Sequence, residues 1–297
     1  MSGQPLVSVM MPCFNAERTL AAALVSLRAQ TYPHWEAVIV DDGSTDQTEG
    51  VIRAWGDPRF RVERFPQNRG RGAARQRALA MARGKYLSFL DADVWLFQGK
   101  LAHQVELMEA RPEVAVVSGV CIITDAQNQP VGLTRTGLEP GDEVTERAFD
   151  RLNAPPLSFP PCMVRMSDTH GADFNPAFRR SQDSDFLIQV LLGKRYAVSR
   201  EPVYAYSQAE AASLNKTIEG YRYRLRTYAQ YTRRYPFQSR LQMGKTLAKM
   251  GVYRLAGALG AENVLIERRW NPITPEATAA YTIARSALIE ELGQRRK

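Results

Sequence analysis

The sequence predicts an α/β fold: a mixed, mainly parallel central sheet with helices on both faces, followed by a basic helical extension. Three observations carry this reading. Short apolar runs alternate with helical periodicity through roughly the first hundred residues. Polar turn residues follow three of those apolar runs. Beyond residue 215 the composition shifts to Arg- and Tyr-rich helical segments. At 297 residues and 44% apolar content the chain can bury a sizeable core, which suits one large domain with an appendage better than two equal domains.

Taken in order, residues 7–11 (Val-Ser-Val-Met-Met) form a buried, β-rich run closed by Pro12. From 17 to 30 the pattern becomes helical, with Leu20, Leu24 and Leu27 on one face. A second buried strand at 36–40 runs into Asp41-Asp42-Gly43-Ser44-Thr45-Asp46, a turn that can also cap a following helix. A weaker strand at 61–65 precedes an Ala/Arg-rich helix at 71–82, which Gly84 stops, and 86–90 is a fourth strand. Such alternation builds a parallel sheet, and ligands bind beyond the carboxyl ends of its strands. Pro12 to Asn15, Asp41 to Asp46 and Asp91 to Asp93 stand at three of those ends and are expected to converge on one crevice. Further on, the pattern predicts helices at 100–110 and 182–192, a strand at 114–119, and tail helices at 218–235, 238–259 and 275–292. The stretch 121–166 is mixed, and a boundary falls near Ala212.

The net charge is +8, and from residue 215 onward sixteen basic residues face six acidic ones. Two readings of this tail stand: solvated surface helices, or attraction to an anionic membrane surface or a lipid-linked acceptor. A nucleic-acid binder driven by the tail is a third, with no recognised motif behind it. Cys13, Cys121 and Cys162 form no CxxC pair, which argues against a disulfide framework or zinc site and fits a reducing cytoplasm. The short polar lead does not resemble a signal peptide, and no apolar run reaches the ~20 residues that span a bilayer.

Asp91-Ala92-Asp93 follows a buried strand. Two carboxylates one residue apart can hold a hard divalent cation that bridges two phosphates; the alternative is a polar turn. Asp42 has two readings of equal standing: acceptor for base N–H or ribose hydroxyls, or part of a helix-capping turn. Asn68-Arg-Gly-Arg-Gly-Ala-Ala-Arg75 places glycines and cations before a helix, as suits phosphate; the alternative is an exposed first turn. Asp183 and Asp185 open a helix, either as ordinary N-terminal acids or, for one of them, as a base kept charged by the helix dipole. His34, His103 and His170 are not spaced as a metal site.

Together these segments resemble a family-2 glycosyltransferase of the GT-A fold. Val7 to Asn15 is similar to that family's opening strand and aromatic-Asn turn. Gln30-Thr-Tyr-Pro33 with Val40 to Asp46 is similar to its second strand, and Asn68-Arg-Gly70 with Ala74-Arg75 to its Asn-x-Gly…Ala-Arg segment. Leu90-Asp-Ala-Asp93 resembles its metal motif, and the region from Gly171 to Asp185 its Glu-Asp-x-Asp region. The resemblance spans about residues 6–210, with a nucleotide-binding half to about 95, an acceptor half to about 212, and 213–297 as the extension.

The resemblance implies an inverting, metal-dependent transferase. It would move a sugar from a nucleotide-diphosphate donor, UDP-sugar first, to a hydroxyl of a glycan, lipid-linked or protein acceptor. It implies that Asp42 contacts the base, and that Pro12, Phe14 and Asn15 line the nucleoside pocket. Arg75 and Ala92 would hold the nucleotide-sugar, and Asp91 would face ribose and metal. Asp93 would be the main ligand of Mn²⁺ or Mg²⁺, and Asp183 the general base. Two departures stand out: Gln182 replaces the usual Glu, and Ile266 replaces the Gln of the Gln-x-x-Arg-Trp motif of processive members, although Arg269-Trp270 is present. The setting implied is surface polysaccharide, glycolipid or glycoprotein synthesis, in the cytoplasm or at the inner face of the membrane. The rival reading is a nucleotide-sugar-binding protein without transfer activity.

Overall fold

The structure, a computed structural model, describes residues 3–139, 141–207, 214–260 and 270–294. Strand β1 (Val7–Cys13) pairs in parallel with β2 (Trp35–Asp41) and β4 (Tyr86–Phe89), and β2 pairs in parallel with β3 (Phe60–Arg64). Helices α1 (Leu20–Arg28), α2 (Thr48–Trp55) and α3 (Arg71–Met81) make the crossovers. Every residue of β2 is buried, because helices cover both faces; such strands read as unbroken apolar runs rather than alternations. The pleat then sorts their side chains. Val7, Val9 and Met11 join Leu20, Leu24 and Leu27 on one face, while Met10, Val38 and Val40 join Ala74 and Ala78 on the other.

The sheet continues through β5 (Trp95–Leu96), β6 (Val114–Thr124), β9 (Met163–Arg165) and β10 (Arg195–Ser207), in the order β3-β2-β1-β4-β9-β6-β10-β5. Strand β9 runs antiparallel to both β4 and β6, so the sheet is mixed in this half. Short strands β7 (Pro130–Leu133) and β8 (Val144–Ala148) pair antiparallel with β6 and β10. Helices α4 (Lys100–Ala110) and α5 (Gln182–Leu191) lie close to their expected limits. Two features exceed the sequence reading: β6 continues to Thr124, and β10, thirteen residues long, forms where no strand is expected.

The tail holds α6 (Leu214–Gln230), α7 (Pro236–Ala258) and α8 (Pro275–Gln294). Ile188 on α5, with Leu152, packs on Tyr228 of α6, and Tyr231, Tyr235 and Met243 line the same contact. Helix α8 folds back onto the sheet domain, burying Ala277 and Tyr281 against Phe97, Ile122 and Ala205. The expected boundary near Ala212, and Ile266 and Arg269, lie outside the described residues.

A lysine is sealed into the centre of the fold. Lys100 is fully buried, and its Nζ donates to Ser88 Oγ (2.9 Å), Gln104 Oε1 (3.0 Å) and the Cys162 carbonyl (3.4 Å). These acceptors are all neutral, so burial dominates and pushes the ammonium down to about 7. The unfolded chain holds that proton up to the ordinary 10.5, so it binds more protons between these two values and stability rises with pH there. Relative to Lys100→Met, the wild type is expected to gain up to about 1.4 kcal/mol per pH unit over this window. Denaturant melts at pH 7 and pH 9.5 check this; parallel pH profiles for the two proteins would show that the amine is not desolvated.

Candidate active site

A cleft of about 1080 Å³ opens at the carboxyl ends of the parallel strands. Its lining includes Pro12, Phe14, Asn15, Asp42, Asp91, Ala92, Asp93 and Asp183. The residues expected to converge from three strand ends do converge, and Asp183 joins them from the start of α5. Arg75 lies beneath the floor, 3% exposed, rather than in the lining.

The turn after β2 is built from side chain to backbone. Asp41 Oδ1 accepts from the Ser44 amide (3.0 Å) and hydroxyl (2.5 Å), which folds the turn over it. Gly43 sits at φ +73°, and an added Cβ would lie 2.5 Å from the Gln67 carbonyl carbon, so only glycine fits. Asp42 then faces the opposite loop, accepting the Arg69 amide (2.7 Å) on one oxygen and the Gly70 amide (2.9 Å) on the other. Burial raises its pKa, and the two amides oppose that rise. These amides at the start of α3 are therefore engaged by Asp42. Asp42 also lines the cleft, and each of its oxygens has capacity for a second hydrogen bond.

Asp46 takes the local role. It accepts the Thr48 amide (3.0 Å) and hydroxyl (2.5 Å) and the Glu17 amide (3.1 Å). Burial acts to raise its pKa, but these hydrogen bonds win and hold it below the ordinary value. Asn15, at φ 48°, ties the first strand's turn to the second: its Oδ1 accepts the Thr45 amide (2.9 Å), and its own amide donates to Ser44 Oγ (2.9 Å). Phe14 is left 46% exposed at the cleft mouth. Cys13 also lines the cleft, yet burial first, then Asp41, Asp46 and Asp42, push its thiol up to about 12. It is not a thiolate nucleophile near neutral pH.

After β4, Asp91 is held from two sides. Arg75 Nη2 donates to its Oδ1 (3.0 Å), and its amide donates to the Tyr204 hydroxyl (3.3 Å). The Arg75 guanidinium lies 4.7 Å from the centre of the Phe159 ring, so its own orientation is fixed. Asp91 and Asp93 both line the cleft, and Asp93 is exposed there. Burial first, then Asp93 and Asp91, raise the nearby Tyr206 hydroxyl to about 12. Tyr204 and Tyr206 are contributions the sequence reading missed; reading the run Val203-Tyr-Ala-Tyr206 as a strand would have found them.

Among the described residues no group of three or more His, Cys, Asp or Glu side chains could hold a metal by itself. Two carboxylates at a cleft still suit Mn²⁺ or Mg²⁺, hard ions that complete their shells with phosphate oxygens and water. The donor set therefore fits a cation bound together with a diphosphate. Arg18, Arg71 and Arg179 add positive charge to the lining.

Helix phase separates the two acids of α5. Residues two apart on a helix point about 200° away from each other. Asp183 faces the cleft, its Oδ1 accepting the Ser184 amide (2.7 Å). Asp185 turns inward, 1% exposed, accepting Gln189 Nε2 (3.0 Å), and burial raises its pKa. Ser181, at φ 59°, starts the helix so that its first turn meets the cleft. The two walls are locked together where Gly72 of α3 meets Asn175: a Cβ there would lie 2.9 Å from the Asn175 carbonyl oxygen.

Comparison with known proteins agrees with this architecture. Over 110 residues the chain is 40% identical to the putative teichuronic acid biosynthesis glycosyltransferase TuaG of Bacillus subtilis, covering 36% of this chain and 44% of that protein. Over 104 residues it is 38% identical to the Escherichia coli UDP-Glc:alpha-D-GlcNAc-diphosphoundecaprenol beta-1,3-glucosyltransferase WfgD, covering 35% and 41%. The chain thus spans less than half the length of these curated relatives. In fold it is similar to S. aureus TarS 1–349 in complex with UDP (TM-score 0.56, 21% identity, 75% of this chain and 72% of that one). It is also similar to the mannosyltransferase PcManGT of Pyrobaculum calidifontis, solved with GDP-Man and Mn²⁺ (TM-score 0.60, 18% identity, 97% and 88%). These likenesses establish a GT-A-like fold. The family model for glycosyl transferase family 2 matches residues 8–170, which takes in every strand-end motif and stops short of Asp183. Since that segment exceeds half of the 297 residues, the chain belongs to glycosyl transferase family 2.

Proposed function

We propose that the protein is an inverting, metal-dependent glycosyltransferase that moves a sugar from a nucleotide-diphosphate donor to an acceptor hydroxyl. The observation that carries this reading is the meeting of Asp42, Asp91, Asp93 and Asp183, from three separate segments, in one cleft. Pro12, Phe14, Asn15 and Asp42 form the nucleoside end, with Asp42 accepting from the base. Asp91 and Asp93 would hold Mn²⁺ or Mg²⁺ together with the diphosphate, with Ala92 lining the sugar-nucleotide site, and Arg75 holds Asp91 in place. The bound cation supplies charge neutralisation on the leaving diphosphate. Asp183 takes the proton of the acceptor hydroxyl, which attacks the anomeric carbon in line, opposite the leaving group. The dipole of α5 favours negative charge at its first turn, where Asp183 stands.

A UDP-sugar is the donor we favour. WfgD is named for UDP-Glc, and TarS binds UDP and UDP-GlcNAc, whereas PcManGT binds GDP-Man. The names of TuaG and WfgD support a setting in surface polysaccharide or glycolipid synthesis, with a glycan or lipid-linked acceptor.

Calorimetry with UDP, GDP, CDP and ADP, each with Mn²⁺ and with EDTA, tests the donor site. One nucleoside diphosphate, UDP, is expected to bind, and only with metal. Well-folded protein that binds no member of the panel would overturn the reading.

A further inference from the structure

Helix α7 is built inside out. At about 100° per residue its buried positions fall on one side: Ser239, Gln242, Thr246 and Met250, continued by Tyr253, whose ring meets Tyr221. Three of these five are polar, and two find local partners: Ser239 Oγ donates to the Tyr228 carbonyl (2.5 Å) and Thr246 Oγ1 to the Gln242 carbonyl (2.7 Å). The opposite side carries Phe237, Leu241, Ala248, Val252, Leu255 and Leu259 toward solvent, with Phe237 77% and Leu255 64% exposed. At ~1.5 Å per residue this apolar stripe runs about 33 Å. A helix that only had to pack on the domain would place these side chains inward.

The charges are placed around that stripe. Arg240 and Arg254 flank it on one edge, Lys245 and Lys249 on the other, and all four are exposed. Between Glu219 and Glu262 the sequence holds nine Arg or Lys residues and no acid. A second copy of the chain meeting this face about a twofold axis would bring these cations together, and like charges there oppose such a pairing. An anionic lipid surface complements both features: acyl chains take the apolar stripe, and headgroup phosphates take the cations.

We propose that α7 docks flat on an anionic membrane, with Phe237, Leu241, Val252 and Leu255 entering the headgroup–acyl boundary. The hairpin geometry connects this surface to the cleft. Leu214, at the start of α6, lies against Gly257 of α7. In the same region of α6, Glu219 pairs with Arg180 (2.6 Å) and the Gly220 carbonyl accepts Ser181 Oγ (3.0 Å). Arg180 and Ser181 line the cleft, so the end of α7 bearing Leu255 is the end nearest the cleft wall. No helix of the described residues is long and apolar enough to cross a membrane, so this surface is a peripheral one.

The test is flotation of the full chain with vesicles of phosphatidylcholine, with and without phosphatidylglycerol. No donor or acceptor is needed, so its failure would leave the transfer reading untouched. Wild type is expected to float with the anionic vesicles only. The exposed-face variant Phe237→Ser/Leu241→Ser/Leu255→Ser is expected to lose about tenfold or more in vesicle affinity. The charge variant Arg240→Gln/Lys245→Gln/Lys249→Gln is expected to lose a similar factor and to fold independently of the apolar changes. Wild type that stays with the sediment, or an apolar variant that is folded and floats like wild type, would overturn the proposal. So would a concentration-dependent dimer in sedimentation velocity that the apolar variant abolishes while vesicle binding persists, because the face would then join two copies.

Discussion

Asp183→Asn is expected to keep metal-dependent binding of the nucleotide donor and to lose transfer by roughly 10²–10⁴-fold, the usual worth of a positioned general base. The substitution is close to isosteric, and the asparagine oxygen can still accept the Ser184 amide that Asp183 Oδ1 holds at 2.7 Å, so the first turn of α5 is preserved. What is lost is the negative charge able to take a proton. If Asp183 is the base acting on the acceptor, donor affinity measured by calorimetry should be unchanged while product formation falls. Undiminished turnover would exclude Asp183 as the base, and lost donor affinity would move it to the nucleotide side of the cleft. Asp185→Asn is the internal contrast. That side chain is buried and turned toward α6, so any cost should fall on thermal stability rather than on the chemical step.

The contrast between these two acids shows where sequence reading reaches its limit. In the parallel part of the sheet, β1, β2 and β4 are buried on both faces, so each is a short apolar run, and the polar residues after it could only lie at the carboxyl edge. That logic brought Asp42, Asp91 and Asp93 together correctly without knowledge of any side-chain contact. In α5 both Asp183 and Asp185 fit the first turn, and which of them faces the cleft depends on the phase set by Ser181 in a left-handed conformation, which no periodicity reveals. The antiparallel elements escaped for a related reason. Strand β8 is Val-Thr-Glu-Arg-Ala and β9 has three residues, so neither presents an apolar run of its own. Arg75 is a subtler case. The resemblance implied that it holds the nucleotide, and what the structure adds is its burial on Phe159 and its ion pair with Asp91, neither of which a helical pattern reveals. The tail was legible as helices but not in its sense, because a stripe of Phe, Leu and Val implies burial until the polar side of α7 is found to be the packed one.

Asp93→Ala is expected to reduce nucleoside-diphosphate affinity to the level that wild type shows in EDTA, and to lose roughly 10²–10³-fold in kcat, the scale for removing one group that stabilises charge developing in the transition state. Asp93 is the better of the two carboxylates for this experiment. Removing the Asp91 carboxylate would leave Arg75, 3% exposed and stacked on Phe159, without its anionic partner, and a buried unpaired charge costs up to about 3 kcal/mol of stability. A loss of binding in an Asp91 variant would then confuse folding with metal binding. Asp93 is exposed at the cleft, and a thermal melt of the variant beside the titrations separates any effect on stability from the effect on the ligand. The decisive comparison is four calorimetric titrations with UDP: wild type and variant, each with Mn²⁺ and with EDTA. If the metal is held by the pair of carboxylates together with the diphosphate, wild type should respond to EDTA and the variant should not. A variant that still gains affinity from Mn²⁺ as wild type does would place the cation on other oxygens of the cleft, and the roles drawn for Asp91 and Asp93 would both have to be given up.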